Sequence, residues 1–331
     1  MEPIVTVTVN PTIDISTQVG HVVSDKKLRC ARPKYEPGGG GINVSRAIKK
    51  LGGDSTTLFT AGGTGGERLR RLLAEEEISQ QIVSIGEATR ENIIVFETQS
   101  DKQYRFTMPG PQLAEAEWKQ CLEDLKNLDP KPAYLIGSGS LAQNMPDDFY
   151  GRMAEIAADL GARCIVDTSN TPLVRAAQKG VYLLKPNMRE IQELVGEEIQ
   201  DEHDQERLVM KLLDEGYAQV IVLSLGTAGA LVASKEGTER LRAPSVSIKS
   251  RVGAGDSMVA GIVLKLAQGD SLRNAVRFGI AAGSAAVMTP GTELCRREDA
   301  ERLYAKMAED EGREASTLET PDFSDVSNVR R

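Results

Sequence analysis

Short apolar runs alternate with segments of helical periodicity along most of this chain, and this alternation restricts the fold more than any other feature. Residues 4–9 are β-branched at nearly every position, as in a strand that is buried on both faces. In residues 42–51 the apolar side chains instead recur at helical spacing. The same patterns return as apolar runs at 164–166, 181–184 and 220–225 and as an amphipathic helix at 258–266. This order predicts an α/β fold with a mostly parallel sheet and helices on both of its faces.

One section of the chain breaks the alternation. Residues 92–98 and 103–108 have the composition of two strands and are joined by the polar turn 99–102, which predicts a hairpin outside the main sheet. We expect residues 15–35 and 90–108 to form a small β-sheet lid together. The acidic, Ser- and Thr-rich segment 309–331 lacks apolar periodicity and is expected to be disordered, which leaves residues 1–308 as the folded domain.

The composition of the 331 residues argues against several classes of protein. The formal net charge of −8 disfavours nucleic-acid binding, which normally needs a basic surface. The four cysteines are far apart and there are only two histidines, so we expect reduced thiols in a cytoplasmic protein and no zinc centre. We expect neither a signal peptide nor a membrane span, because no apolar run is long enough.

The sequence Val-Gly-Ala-Gly-Asp-Ser at 252–257 directly precedes the predicted helix 258–266. Glycines before a helix let backbone N–H groups approach an anion, and the helix dipole favours negative charge there. A carboxylate at Asp256 would repel such an anion, but it is suited to accept a hydroxyl proton beside a transferring phosphoryl group. The alternative is a glycine-rich turn in which Asp256 caps the helix.

Four consecutive glycines at 38–41 open a second helix and are followed by Ile42 and Asn43. The glycines permit close approach of the backbone to a bound molecule, and the Asn43 amide offers a donor and an acceptor to hydroxyl groups. The pattern differs from the dinucleotide fingerprint Gly-x-Gly-x-x-Gly, which argues against a NAD-dependent enzyme. A tight structural turn is the alternative.

Two weaker motifs follow predicted strands. In residues 185–190, Asn187 and Glu190 are three apart, which is typical of a capping box, although Glu190 is also suited to a hydrated magnesium ion. Residues 223–230 form a strand that ends in small residues, where a nucleotide can pass close to the backbone. The dipeptide Gly-Lys occurs nowhere, which excludes a Walker A loop, and the protein-kinase signatures are missing as well.

Taken in order, these four motifs resemble the ribokinase-like (PfkB-type) family of carbohydrate kinases over residues 4–308. The family's two signatures correspond to residues 38–47 and 253–257. The segments most similar to the minor bacterial 6-phosphofructokinases within that family are 27–30, 103–106 and 291–295. The resemblance implies a three-layer ribokinase-like fold and an enzyme of glycolysis that phosphorylates fructose 6-phosphate with ATP and Mg²⁺. It also implies a homodimer joined through the lid, or a tetramer.

The resemblance further implies roles for single residues. Asp256 matches the base that deprotonates the acceptor hydroxyl, and Glu190 matches the magnesium-associated motif. The residues that match the anion hole are Gly253, Ala254 and Gly255. The residues expected to bind the sugar phosphate are Asp14, Lys27, Gly39, Gly40, Asn43, Arg90, Asn92 and Ser140, with Lys27 and Arg90 on its phosphate. The residues expected on the nucleotide side are Lys185, Asn187, Ser224, Gly226 and Gly229.

The chain departs from the family pattern at three places. Residues 139–144 read Gly-Ser-Leu-Ala-Gln-Asn where the family has Gly-Ser-Leu-Pro-Pro-Gly, Arg189 replaces a lysine, and Val23 replaces a tyrosine that reaches a neighbouring subunit. Two other classes of function remain open, a related sugar-phosphate kinase and an inactive sensor. A 1-phosphofructokinase or tagatose-6-phosphate kinase would share these motifs, and an inactive sugar-phosphate sensor would keep the fold, although a sensor has no need of Asp256.

Overall fold

The computed structural model describes residues 1–318 of the chain. Its strands are β1 Ile4–Thr8, β2 Thr12–Val19, β3 Lys34–Gly38, β4 Thr56–Ala61, β5 Ser79–Ser84, β6 Arg90–Glu97, β7 Lys102–Phe106, β8 Tyr134–Ser138, β9 Arg163–Asp167, β10 Val181–Leu184, β11 Ala218–Ser224, β12 Ala230–Ser234 and β13 Gly237–Leu241. Its helices are α1 Gly40–Lys50, α2 Gly63–Glu75, α3 Glu115–Lys126, α4 Phe149–Leu160, α5 Asn170–Ala177, α6 Met188–Val195, α7 Glu202–Asp214, α8 Ala254–Ala267, α9 Leu272–Val287 and α10 Arg297–Leu318.

Nine strands form one twisted layer in the order β13-β12-β11-β10-β9-β8-β1-β4-β5. All neighbours from β11 to β5 are parallel, and only β12 and β13 add antiparallel edges. Every residue of β1 is buried, as expected of a central parallel strand that is covered on both faces. The predicted mostly parallel α/β sheet is therefore confirmed.

Two apolar cores lie on opposite faces of this sheet. Alternate residues of a strand point to opposite faces, so Ile4 joins one core and Val5 the other. The first core packs the sheet against α1, α8, α9 and α10, and the second packs it against α3 to α7. The result is the predicted three-layer arrangement.

Helix α8 differs from its prediction. The sequence favours an amphipathic helix at 258–266, but residues from Ser257 to Leu264 are all buried. The helix lies between α1 and α9, and a Cβ added at Gly261 would be only 2.9 Å from Gly279 Cα. A nearly continuous apolar segment is buried on all sides rather than on one stripe, so the prediction of an amphipathic helix is wrong.

A separate four-stranded sheet, which we call the lid, has the order β3-β2-β6-β7. The predicted hairpin is confirmed as β6 and β7, which pair antiparallel through Ile93 and Phe106. Only the two ends of the predicted range 15–35 are strand: β2 starts earlier, at Thr12, and ends at Val19, and β3 starts at Lys34. Residues 20–33 between them have no regular structure. The apolar residues Ile13, Ile42, Phe59 and Leu69 join the base of the lid to the main body.

Helix α10 runs to Leu318. The backbone is therefore helical at 309–318, where the sequence analysis expects disorder, because Glu, Asp, Ala and Arg in this stretch are compatible with helix even without an apolar stripe. The rest of that expectation, residues 319–331, lies outside the described residues.

No helix within residues 1–318 is long and apolar enough to cross a membrane.

Candidate active site

The candidate site lies where the carboxyl ends of the parallel strands meet. In an open α/β sheet these ends form one edge, and ligands bind in the crevice beside it. Strands β9 and β10 end there with Asp167 and Leu184, and Lys185 follows β10 directly. The N-termini of α1 and α8 reach the same edge, because Asn43 of α1 donates a hydrogen bond to Asp256 of α8.

The N-terminus of α8 provides a group of free backbone donors. Gly253 has a left-handed conformation (φ 74°), and a Cβ at this position would lie 2.4 Å from Leu294 Cδ2. The left-handed conformation favours glycine here, and a larger residue would also displace the Leu294 side chain. Among residues 1–318, the N–H groups of Gly253, Ala254 and Gly255 have no hydrogen-bond partner, as expected for the first turn of a helix. They can bind an anion.

Asp256 stands in the first turn of α8 with part of its surface open to the crevice. The surrounding protein desolvates its carboxylate, and the nearby Asp167 repels it, so the pKa of Asp256 rises to about 7. The amide of Asn43, whose Nδ2 lies 2.9 Å from Asp256 Oδ2, partly opposes this shift. A carboxylate with this pKa can accept a proton near neutral pH.

Lys185 and Asp167 form a buried ion pair beside Asp256, with 3.1 Å between Lys185 Nζ and Asp167 Oδ1. Burial alone would lower the pKa of the Lys185 ammonium, but Asp167, Glu190 and Asp256 together raise it above its ordinary value. The sequence analysis did not identify Asp167. Its signal was a carboxylate directly after the apolar run 164–166, at the end of a predicted parallel strand.

The lid forms another wall of the crevice. Asp14 on β2 lies opposite Asn92 on β6, and Asn92 Nδ2 donates to Asp14 Oδ1 over 3.1 Å. Burial raises the pKa of the Asp14 carboxyl, while the Asn92 hydrogen bond and then Arg105 and Arg90 oppose the rise. Asp14 also contributes to the raised pKa of Asp256, so the lid residues and the candidate base lie close together.

Arg90 is held at the base of the lid by two backbone carbonyls. Its NH1 group donates to Met108 O (3.0 Å) and its NH2 group to Asn10 O (3.1 Å), while Nε is buried without a partner among the described residues. Burial lowers the pKa of Arg90, which Asp14 partly offsets. Since each terminal nitrogen carries a second hydrogen, the guanidinium can still donate to a ligand.

Asn10 is a second residue that the sequence analysis missed. Its side-chain Nδ2 donates to Ser140 Oγ (3.1 Å) and to Leu141 O (3.0 Å), while its backbone carbonyl accepts from Arg90. Asn10 therefore connects the loop after β8 to Arg90. The Nδ2 hydrogen bond places Ser140 beside Asn10, and its role in binding the sugar phosphate stays a prediction. The signal was a polar residue just after the buried run 4–9.

The glycine loop before α1 contacts its neighbours too closely for side chains. Gly39 has a positive φ of 114°, and a Cβ at Gly40 would lie 2.3 Å from Ser138 Oγ. The loop therefore brings Gly39, Gly40 and Asn43 to the strand ends together. Lys27, by contrast, is exposed in the irregular segment 20–33, and no hydrogen bond or ion pair joins it to the other predicted residues.

A mainly apolar cavity of about 620 Å³ opens on the other side of the α8 N-terminus. Ser224, Gly226 and Gly229 line it, together with Ala254 and Gly255. Gly229 has a φ of 100°, and a Cβ there would be 2.0 Å from Leu241 O, so only glycine is tolerated. Asn187 lies next to this cavity because it forms a β-bridge with Ser224.

The capping box predicted at residues 187–190 is present. Asn187 Oδ1 accepts from Glu190 N (3.0 Å), and Glu190 Oε2 accepts from Asn187 N (2.9 Å). Burial raises the pKa of the Glu190 carboxyl, and the charge of Asp167 adds to the rise although the Asn187 hydrogen bond opposes it. Among residues 1–310, whose side chains the structure describes, no cluster of three or more His, Cys, Asp or Glu side chains could hold a metal ion.

A carboxylate base, an unpaired helix N-terminus and a cavity beside it are the parts that transfer of a phosphoryl group to a hydroxyl requires. A family model described as the pfkB family of carbohydrate kinases matches residues 8–299. The chain belongs to this family, and the predicted resemblance is confirmed.

Three relatives describe the similarity further. The ATP-dependent 6-phosphofructokinase isozyme 2 of Mycobacterium tuberculosis is 44% identical, over 92% of this chain and 90% of the relative. The solved structure of phosphofructokinase-2 from Escherichia coli in complex with fructose-6-phosphate has a TM-score of 0.88 at 40% identity and covers 93% of this chain and 100% of that one. The same enzyme also has a tetrameric inhibited form. The 1-phosphofructokinase of Bacillus subtilis is 30% identical, over 88% of this chain and 95% of the relative.

Proposed function

We propose that this chain transfers the terminal phosphoryl group of ATP to the free primary hydroxyl of fructose 6-phosphate and forms fructose 1,6-bisphosphate, a step of glycolysis. The observation that carries the proposal is the position of Asp256. Its carboxylate belongs to the anion-binding first turn of α8 and lies close enough to the lid residue Asp14 to be affected by its charge, and its pKa is raised to about 7. The similarity to two 6-phosphofructokinases at 44% and 40% identity selects the acceptor.

Asp256 is the base in the mechanism that follows. It accepts the proton of the acceptor hydroxyl while the hydroxyl oxygen forms a bond to the terminal phosphorus of ATP. The bond from that phosphorus to the bridging oxygen breaks, and ADP leaves. The backbone N–H groups of Gly253, Ala254 and Gly255 stabilise the negative charge of the transferring group without reorganising.

The nucleotide occupies the cavity at the α8 N-terminus in this proposal. Ser224, Gly226 and Gly229 form its wall, and Asn187 lies beside Ser224. Lys185 approaches the phosphates, since its Nζ would be 3.6 Å from a Cβ at Gly255. The cavity wall is mostly apolar, which suits the adenine ring.

Mg²⁺ fits the carboxylates at this edge of the sheet. The Glu190 carboxylate has one oxygen outside the capping box, and it shares its surroundings with Asp167. The mutual repulsion of these carboxylates is relieved by a cation, and Mg²⁺ keeps several waters and takes few protein ligands. Glu190 would hold the ion, which when bound neutralises charge on the nucleotide phosphates.

The acceptor is held by the lid. Its phosphate binds to Arg90. Its hydroxyls bind to Asp14, Asn92, Asn43 and the backbone of the glycine loop, and Ser140 lies beside them. Lys27 is assigned to the same phosphate by the family resemblance alone. With the phosphate of fructose 6-phosphate on Arg90, the primary hydroxyl at the other end of the sugar is free to reach Asp256.

The experiment that tests the function is a coupled assay of ADP release with fructose 6-phosphate, fructose 1-phosphate, tagatose 6-phosphate, fructose and ribose. We expect the highest kcat/KM with fructose 6-phosphate. A preference for fructose 1-phosphate or tagatose 6-phosphate would replace the substrate but keep the kinase, and ADP release with none of the sugars would support the sensor instead.

We further propose that two lids pair in a homodimer. Five of the seven exposed large hydrophobic residues in the described chain belong to the lid region: Leu28, Tyr35, Ile93, Phe106 and Met108. The register places Tyr35, Ile15, Ile93 and Phe106 in one row across all four strands. The adjacent row contains Asp14 and Asn92 and therefore points to the opposite face, towards the crevice. Pairing covers the apolar row without blocking the site.

Sedimentation velocity at micromolar concentration tests this assembly. We expect a dimer or a tetramer built from dimers, and a shift towards monomer when the apolar row is disrupted by Phe106→Asp. A wild-type protein that sediments as an active monomer would contradict the proposal. We also propose that residues 1–308 form the kinase domain and that it works in the cytoplasm.

A further inference from the structure

Arg251 is the only charged residue that lines the proposed nucleotide cavity in the described chain. It precedes the anion-binding turn by two residues and shares the cavity wall with Ala254 and Gly255. Its side chain is exposed and has no hydrogen bond or ion pair with residues 1–310. Most arginines in such positions are solvated surface charges. The surroundings of Arg251 argue for a ligand instead.

The first argument is the local balance of charge. Asp167, Glu190 and Asp256 all lie close enough to Lys185 to raise its pKa, so three carboxylates share a single lysine at this edge of the sheet. A nucleotide triphosphate brings several further negative charges to the same place. One magnesium ion does not balance this excess, and Arg251 supplies positive charge from the wall of the cavity that Ala254 and Gly255 also form.

The second argument is that the backbone of Arg251 is fixed on both sides. Ser250 N donates to Val287 O (3.2 Å), and the buried Ser250 hydroxyl donates to Gly291 O (2.8 Å). Val252 N in turn donates to Ser250 Oγ (3.2 Å). The guanidinium therefore starts from a held position beside the α8 N-terminus, which reduces the entropy lost when it binds.

We infer that Arg251 binds the outer phosphates of ATP and is a further catalytic residue of the proposed phosphoryl transfer. The inference rests on the proposed function. An arginine has a planar fork of donors that matches two phosphate oxygens, and it stabilises the charge of the transferring group where the backbone N–H groups of α8 do the same. The adenosine end of the nucleotide lies against the apolar wall and makes no use of Arg251.

Calorimetric titration with ATP, ADP and AMP in the absence of sugar separates these roles. In Arg251→Met we expect the affinity for ATP to fall by about tenfold or more, and the affinity for AMP to change less than about twofold. Arg251→Lys keeps the charge but loses the planar fork, so its affinity for ATP should lie between the two. Lys249→Met is the matched control, because Lys249 is an exposed cation two residues away that does not line the cavity.

Turnover provides a second measurement. With fructose 6-phosphate at saturation, kcat of Arg251→Met should be about 10–10²-fold below wild type, while Lys249→Met should match wild type. Equal losses of affinity for ATP, ADP and AMP, or no loss for any of them, would overturn the inference even if wild-type turnover stands. A wild-type protein that binds ATP more tightly than AMP but phosphorylates no sugar would instead refute the proposed function and leave the role of Arg251 in binding supported.

Discussion

The main body and the lid are built on different kinds of sheet and carry different groups of the candidate site. The body has a nine-stranded sheet with helices on both faces, and its chemical groups stand on strand ends and helix N-termini that the two cores hold in place. The lid has four strands, one polar row towards the crevice and one apolar row that remains exposed in the single chain. In the proposed function, the body therefore fixes the groups that transfer the phosphoryl group, and the lid supplies the groups that select the acceptor.

The two regions are joined by a small buried network. Glu36 on β3 accepts a hydrogen bond from Thr292 (2.7 Å), whose loop also contacts the anion-binding turn through Gly291 and Ser250. Arg46 on α1 donates to Pro37 O (2.8 Å) and forms a bidentate pair with Glu76. The strand that leads into the glycine loop is thus tied to the body on both sides.

The largest expected effect lies in the body. Asp256→Asn should keep the contact with Asn43 and the fold, but it removes the base, so kcat should fall by roughly 10²–10⁴-fold with little change in substrate affinity. Steady-state kinetics with both substrates checks this. Near-normal turnover in this variant would rule out Asp256 as the base.

The same substitution should have an opposite effect on stability. Because the folded-state pKa of Asp256 is raised to about 7, the folded protein binds a proton that the unfolded chain releases near pH 4. The contribution of this bound proton to the free energy of unfolding is complete below pH 4 and is lost as the pH rises through 7. At pH 8 we therefore expect Asp256→Asn to be more stable than wild type by about 2–4 kcal/mol, and at pH 4 the two should be alike. Denaturant unfolding without ligands at both pH values measures the difference.

The second effect lies in the lid. Arg90→Ala should weaken transition-state binding of fructose 6-phosphate by about 2–4 kcal/mol, because a bidentate, charge-assisted contact with the phosphate is lost. Activity with unphosphorylated fructose should hardly change. The measurement is the ratio of kcat/KM for the two sugars, with Lys102→Ala as a control that removes another lid cation. If the ratio does not move, Arg90 does not hold the substrate phosphate.

The third effect concerns the junction between the two regions. Thr292→Val leaves the buried Glu36 carboxylate without one of its hydrogen-bond donors. The free energy of unfolding should therefore fall by about 1–2 kcal/mol. We also expect KM for the sugar phosphate to rise more than KM for ATP. Thr292→Ser should restore both. Thr57→Val is the control, since the Thr57 hydroxyl is buried without a partner in the described chain. Equal effects at positions 57 and 292 would show that the junction has no special role.

The comparison also explains which features the sequence could predict. Strands, glycine turns and Asp256 leave local patterns, and the lid hairpin was predicted because its period and turn differ from those of the body. Contacts between distant segments leave no such pattern. Thr292 and Glu36 are 256 positions apart. Asp167 and Asn10 come close to the other site residues only because parallel strands bring their carboxyl ends together. The prediction that helix α8 is amphipathic was wrong because sequence periodicity cannot show that α1 and α9 cover the helix from two sides.

The smallest expected effect separates two roles of one residue, Glu190. Its carboxylate caps α6 through Asn187 N and is also proposed to hold Mg²⁺. Glu190→Gln keeps a side-chain oxygen that can accept from Asn187 N, so a capping role alone predicts a loss of only a few tenths to about one kcal/mol in unfolding free energy and an unchanged magnesium requirement.

Loss of the charge acts differently if Glu190 holds the metal. The magnesium concentration for half-maximal turnover should then rise and kcat should fall, while the melting temperature hardly changes. Asn187→Ala provides the matched comparison, because it removes the reciprocal cap and leaves the carboxylate in place. A variant Glu190→Gln that changes only the melting temperature would restrict Glu190 to the helix cap, and the loss of melting temperature in Asn187→Ala should be larger. The magnesium ion would then need another carboxylate, and Asp167 stands beside it at the same edge of the sheet.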